Sequence, residues 1–271
     1  MKRIVVLLVV LAAGAEARAG TYTQQICTPN QQPLYDGILI EAAGGTTWSD
    51  KCLDSGPMTA QLVSKSAGSY LRIHYETAPP IRISGISLER RTTNVRDGGA
   101  IYEVTGTTDS CSATRCEPFG DVAGPFTQNG LDLTELDINL KCPDTAACSQ
   151  SATLAITSLA FTLRDDVLPE VNAQFPAGVQ QGVIALPYDA TDVGSGVFQA
   201  EVVVDGAAQP RQTVGDCALP FTKRVPCRTS VSGTVPLDTT VLADGDHQVS
   251  LNVYDATGTN VSTAGPAPIR A

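Results

Sequence analysis

Histidine, tryptophan and positive charge are scarce in this sequence. Two histidines and one tryptophan stand among 271 residues, aromatics make up 5%, and 18 Lys and Arg face 28 Asp and Glu. The shortage of basic residues excludes a nucleic-acid binder, which needs a cationic face to neutralise phosphates. The same balance, a formal net charge of −10, disfavours anionic lipid. The shortage of histidine leaves little room for a Ser-His-Asp triad. His74 alternates with Arg72 and Glu76 on the polar side of a strand pattern, and His247 follows Asp244-Gly245-Asp246. No Gly-x-Ser-x-Gly elbow leads into a helical stretch. Charged residues are only 17% of the chain, and no helical repeat runs through it, which excludes a coiled coil. Disorder is excluded by the 42% of apolar residues.

A long apolar run occurs only at the start. Met1-Lys2-Arg3 is basic, Ile4 to Ala13 is apolar throughout, and Ala15-Glu16-Ala17 and Ala17-Arg18-Ala19 offer small-residue cleavage sites. This is the pattern of a secretory signal peptide, cut after Ala19. The run is too short for a membrane span, which needs about 20 residues. The expected product is secreted or held at the cell surface, with no transmembrane segment, no lipidated cysteine at the cleavage site and no C-terminal sorting signal.

Eight cysteines lie beyond this segment: Cys27, Cys52, Cys111, Cys116, Cys142, Cys148, Cys217 and Cys227. An even count in an exported chain points to disulfides. Spacing predicts sequential pairs, Cys27–Cys52, Cys111–Cys116, Cys142–Cys148 and Cys217–Cys227. A zinc site from the middle four is disfavoured, because the separation of Cys142 and Cys148 exceeds that of zinc knuckles.

Alternating polarity recurs along the rest of the chain. Leu71, Ile73 and Tyr75 share one face of a strand pattern. After Gly85 the alternation of Ile81 and Ile83 resumes one residue out of phase in Ile86 and Leu88, as a glycine bulge would cause. Leu131 and Leu133, then Leu136, Ile138 and Leu140, show the same slip. Leu159, Phe161 and Leu163 close the first half. A boundary falls at Arg164–Glu170, where charge clusters and Pro169 blocks a strand. Beyond it, alternating strands begin at Gly182 and Val197, with Phe198, Val202 and Val204 on one face. Asp205-Gly206 is a hairpin turn. Further strand segments follow at Thr229–Val235, Leu242–Asp255, where Val249, Leu251 and Val253 face one way, and Val261–Ile269. The expected fold is all-β, two β-sandwiches in tandem stapled by disulfides. Residues 20–166 form the first, 167–170 a linker and 171–271 the second.

Two stretches carry a resemblance. Ala190-Thr191-Asp192-Val193-Gly194-Ser195-Gly196-Val197 resembles the ATDxGSGV turn of bacterial immunoglobulin-like domains. Leu242 to Val249, with Asp255-Ala256-Thr257-Gly258-Thr259-Asn260, resembles their LADGxHxV and DAxGN strand pair, although here a threonine separates Gly258 from Asn260. The first half more weakly resembles the concanavalin-type jelly roll that precedes such domains in exported actinobacterial proteins. Its carriers are Trp48-Ser49-Asp50-Lys51-Cys52, the strand Ile83–Leu88, the paired-cysteine loops and Leu159–Leu163. The resemblance implies an extracellular location and adhesion or ligand binding, and transfers no catalytic residue.

Three chemistries remain. Glycan binding would use the first sandwich, with Arg72, His74 and Glu76 as polar groups and Trp48 as platform, unless Trp48 is a packed anchor. Glycoside hydrolysis needs two carboxylates about 5–10 Å apart. Sandwich glycosidases carry E-x-D-x-x-E, and Glu135-Leu136-Asp137 matches its start, but Leu140 stands where the last Glu would be. Calcium is the one cofactor with a candidate site. Asp165, Asp166 and Glu170 crowd the linker, and Asp189 and Asp192 crowd a turn beyond it. Hard carboxylate oxygens are what calcium takes, while Asp also stabilises turns alone. The sequence favours a non-catalytic binding or adhesion module whose partner is an extracellular glycan or surface protein. A structural spacer and a glycoside hydrolase stay open.

Overall fold

The computed structural model describes residues 20–27, 36–63, 66–95, 100–106 and 121–271. The expected signal segment and the Cys111–Cys116 pair lie outside these. The described residues form antiparallel sheets with two short 3-10 turns. No helix among them is long and apolar enough to cross a membrane.

The described residues of the first half form ten strands: β1 (Gly20–Cys27), β2 (Ile38–Ala43), β3 (Thr46–Ser49), β4 (Met58–Leu62), β5 (Tyr70–Glu76), β6 (Arg82–Thr93), β7 (Ile101–Gly106), β8 (Ala123–Leu133), β9 (Glu135–Lys141) and β10 (Ala152–Asp165). One sheet runs β3-β4-β10-β6-β8, with β1 added beside β10; the other runs β2-β5-β9-β7. Their facing sides fill one core. Leu71, Ile73, Tyr75, Ile138 and Leu140 come from the four-stranded sheet, and Ile83, Ile86, Leu88, Leu154 and Phe161 from the six-stranded sheet. The Tyr75 and Phe161 rings stack across the layers with centroids 3.8 Å apart.

Gly85 does what its sequence context predicts. The pairing of β6 shifts register on both sides there, and burial switches phase between Ile83 and Ile86. The slip at Leu133–Leu136 has a different cause. A bend at Thr134 separates β8 from β9, and the two strands belong to opposite sheets. Both leucine sets face the same core from opposite sides, so the phase change marks a corner of the sandwich, not a bulge.

The second half contains β11 (Glu170–Ala173), β12 (Val183–Thr191), β13 (Val197–Val204), β14 (Ala207–Ala208), β15 (Gln212–Thr213), β16 (Ser230–Asp238), β17 (Asp246–Asp255) and β18 (Val261–Arg270). The sheets are β11-β12-β16 and β14-β13-β17-β18, with β15 also on β13. Leu186, Tyr188, Val235 and Leu237 meet Val202, Val204, Val249, Leu251 and Val253 in a second core. Asp205 and Gly206, with φ of 50° and 83°, form the two-residue turn between β13 and β14. The sequence pattern misses β11 and misplaces Phe198. A register shift between Val197 and Gln199 leaves Phe198 as the extra residue of a bulge. Phe198 therefore leaves the face of Val202 and Val204 and packs against the first core, 5.5 Å from Phe221.

Three predicted disulfides are present: Cys27–Cys52, Cys142–Cys148 and Cys217–Cys227. The last closes a loop that docks on the first sandwich. Phe221 is 4% exposed and belongs to the first core. The Gln25 amide donates to the Phe221 carbonyl at 2.8 Å, and Tyr22 donates its hydroxyl to the Arg224 carbonyl. The Arg224 amide donates to Asp36 Oδ2 at 2.6 Å, and its guanidinium reaches the Glu76 carbonyl at 3.0 Å.

Candidate functional site

The seam between the sandwiches gathers three buried carboxylates. Asp165 ends β10, Asp192 follows β12 and Asp255 ends β17. They are 0%, 2% and 0% exposed, and one carboxylate oxygen from each lies within 4.8 Å of the others. Among the described residues, none of the three forms an ion pair with Lys, Arg or His.

Backbone turns position each one. Asp165 Oδ1 accepts from the Val167 amide at 2.9 Å, and Oδ2 from the Ser195 amide at 2.6 Å. Asp192 Oδ2 accepts from the Gly196 amide at 2.5 Å. Asp255 Oδ1 accepts from the Thr257 amide at 2.9 Å, and Oδ2 from Asn260 Nδ2 at 2.7 Å. Asn260 Nδ2 also donates to the carbonyls of Asp165 and Val167, at 2.9 and 3.1 Å.

The two glycines of the Asp192–Gly196 turn have separate reasons. A Cβ on Gly194 would sit 2.1 Å from Asp165 Oδ2. Gly196 has φ of +85°, and a Cβ there would meet the Cys227 carbonyl at 2.3 Å. The turn is thus shaped around a carboxylate from the other sandwich.

Burial disfavours charge here. Burial lifts the Asp192 carboxyl to about 6, with the Asp165 charge adding to it and the Gly196 and Gly194 amides opposing it. Burial lifts Asp255 to about 7, against hydrogen bonds from Thr257 and Asn260. Two buried oxygens in this group, Asp192 Oδ1 and Asn260 Oδ1, have no hydrogen-bond partner.

The linker trio expected from sequence is not assembled. Asp165 points inward, but Asp166, the next residue, faces the opposite way and pairs with Arg164 at 3.1 Å. Glu170 is exposed on β11, opposite Thr191. Asp189, on β12, accepts from Ser232 Oγ at 2.5 Å and stays out of the cluster. Asp255 and Asn260 carried no chemical signal in isolation. Their sign in the sequence was the DATGTN turn, which marks fold and cluster alike.

A second polar group covers the outer face of the four-stranded sheet. Tyr70, Arg72, His74 and Glu76 alternate along β5, and Glu135, Asp137, Asn139 and Lys141 stand opposite on β9. Arg72 Nε donates to Asp137 Oδ1 at 2.9 Å, and its Nη1 lies 3.2 Å from Glu41 Oε2. His74 Nδ1 is 2.7 Å from Asp137, and Nε2 is 3.5 Å from Glu135. Three of the four expected ligand residues, Arg72, His74 and Glu76, therefore share one face. Trp48 does not join them. It lies on β3 in the other sheet, half-buried against the first core. The aromatic that does share the row is Tyr70.

No family model matches this chain, and no curated protein does. Among solved structures, a GH2 β-galacturonidase from Eisenbergiella tayi bound to glycerol aligns at 8% identity with a TM-score of 0.21. The alignment covers 91% of this chain and 43% of that one, so this chain spans less than half of its length. A likeness at that level carries no argument.

Proposed function

We propose that this chain is an exported, non-catalytic binding module that presents the outer face of its four-stranded sheet to an extracellular glycan or surface protein. The observation that carries the reading is the row Tyr70, Arg72, His74 and Glu76 beside Glu135, Asp137 and Asn139. Planar and carboxylate hydrogen-bonding groups next to an aromatic ring suit a hydroxyl-rich ligand. The Arg72–Asp137–His74 contacts hold these side chains in place before any ligand arrives, which lowers the ordering cost of binding. Export is supported by the basic and apolar N-terminal run with its small-residue cleavage sites and by the disulfides. The resemblance of 190–197 and 242–260 to bacterial immunoglobulin-like domains supports a surface role.

A carbohydrate panel probed with the full chain and with Arg72→Ala and His74→Ala tests this. Binding by the native chain, weakened at least tenfold by either substitution, is the expected result. Binding indifferent to both substitutions, or none at millimolar sugar, would overturn the sheet face as a glycan site. Hydrolysis of a panel sugar, lost in Glu135→Gln, would replace the reading with a glycoside hydrolase.

A further inference from the structure

We propose that Asp165, Asp192 and Asp255 bind one calcium ion, which ties the last strand of the first sandwich to two turns of the second. The inference stands apart from glycan binding and uses none of the sheet-face residues.

Three carboxylates within 4.8 Å, all buried, need compensation. Like charges this close cannot all remain ionised in a low-dielectric site. Lysine, arginine or histidine would ordinarily supply the counter-charge, and none among the described residues pairs with them. The remaining choices are bound protons or a bound cation.

Hydrogen bonding favours the cation. A carboxyl kept neutral by a proton has an O–H to donate, so its buried oxygens should find acceptors. Asp192 Oδ1 instead has no partner at all. Asn260, 1% exposed and bonded to Asp255 through Nδ2, also leaves its Oδ1 without one. Buried polar atoms without partners are rare and call for an unseen water or ion. Both belong to residues of this one cluster, and both are oxygens with free lone pairs.

The donor set selects the ion. Oxygen-only ligands exclude the soft and borderline metals, which prefer thiolate or imidazole. Magnesium keeps several waters in a near-ideal octahedron, whereas calcium accepts irregular sets of carboxylate and carbonyl oxygens. Three carboxylates drawn from one strand end and two turns, with backbone amides fixing their rotations, suit calcium. The amide of Ser195 on Asp165 and that of Gly196 on Asp192 already hold these carboxylates at their other lone pairs.

The test uses the full chain stripped with a chelator. Metal content after dialysis against calcium, calorimetric titration and thermal melts are the three readouts. One calcium per chain is expected, with a dissociation constant on the order of 10⁻⁴–10⁻³ M, the range of extracellular modules. The melting midpoint should climb with the logarithm of free calcium, and equal magnesium should move it far less. Asp192→Asn should bind calcium at least tenfold more weakly, while Asp166→Asn should behave as native. No bound calcium and an unmoved midpoint in the native chain would overturn the proposal, whether or not the Asn variant folds. A chelated Asp192→Asn variant more stable than the native chain, which itself ignores calcium, would assign the site to shared protons instead.

Discussion

The side-chain amide of Asn260 donates to the backbone carbonyl of Asp165, 95 residues earlier, at 2.9 Å. The same nitrogen reaches the Val167 carbonyl and Asp255 Oδ2. One side chain thus caps the end of β10, the start of the linker and the end of β17. Buried groups left without partners cost roughly 1–3 kcal/mol each. Asn260→Ala should lower stability by about 2–4 kcal/mol in denaturant unfolding, with the transition remaining a single step if the seam unfolds together with the cores. A loss below about 0.5 kcal/mol would mean that the three contacts are not made in solution. The burial of Asn260 also predicts that its Asn-Val-Ser sequence is a poor acceptor for glycosylation once the chain has folded.

Gly194 and Gly206 separate close approach from backbone freedom. Gly194→Ala drives a methyl group into the Asp165 carboxylate and should cost about 1–3 kcal/mol, as overpacking does. Gly206 has φ of +83° with open space around it, so Gly206→Ala should cost only about 1 kcal/mol, from the turn conformation. Equal losses at the two sites in thermal melts would contradict this arrangement.

The Cys217–Cys227 disulfide closes a loop with a sequence separation of 10 and presents Phe221 and Arg224 to the first sandwich. Replacing both cysteines by serine should cost about 2–3 kcal/mol. The more telling readout is local. A cleft of about 550 Å³ lies at this seam, lined by residues that include Tyr22, Phe198, Leu219 and Phe221. The variant should become sensitive to proteolysis between residues 217 and 227 and bind an apolar dye there. A variant as resistant as the native chain would show that the docking contacts alone hold the loop.

His247, half-buried, and Asp205, exposed, form a pair whose pH dependence has a definite sign. The Ala243 carbonyl first, and then the Asp205 carboxylate 2.6 Å away, hold His247 above its ordinary value. The hydrogen bonds from His247 and the Gln248 amide hold Asp205 below its own. A raised histidine contributes stability fully below its unfolded value of about 6.5, and loses it as pH rises through the folded value. A depressed aspartate contributes above about 3.9 and loses it as pH falls through its folded value. The pair therefore contributes fully between those two ordinary values. An NMR titration should place His247 above the ordinary histidine range, and Asp205→Asn should bring it down. No change on that substitution would remove Asp205 as a cause.

Alternation made the strands legible, because a period of two is a local property of the chain. The core faces of β5, β9 and β10 follow directly from Leu71, Ile138 and Leu163 and their neighbours. The sequential disulfides were legible for a similar reason, since short separations leave few other partners. Phase slips were visible but ambiguous. At Gly85 the slip is a bulge within one sheet, and at Thr134 it is a crossing between sheets. Locally the two look alike, and only the pairing of the flanking strands distinguishes them.

The polar row of β5 was likewise readable, but the sheet to which Trp48 belongs was not. Tyr70 shares the alternation of Arg72 and His74 and so was within reach of the pattern, whereas Trp48 lies on an earlier strand, and only strand order puts it in the other sheet. The acidic site was the least legible. Sequence proximity grouped Asp165 with Asp166 and Glu170, yet adjacent residues of an extended chain point to opposite sides. The structure groups Asp165 with Asp192 and Asp255 because three strand ends meet at the seam. Composition and alternation thus determined an all-β chain with a wet sheet face. Which carboxylates share a buried site was decided by tertiary structure, because burial and charge proximity depend on which turns are brought together and not on their spacing along the chain.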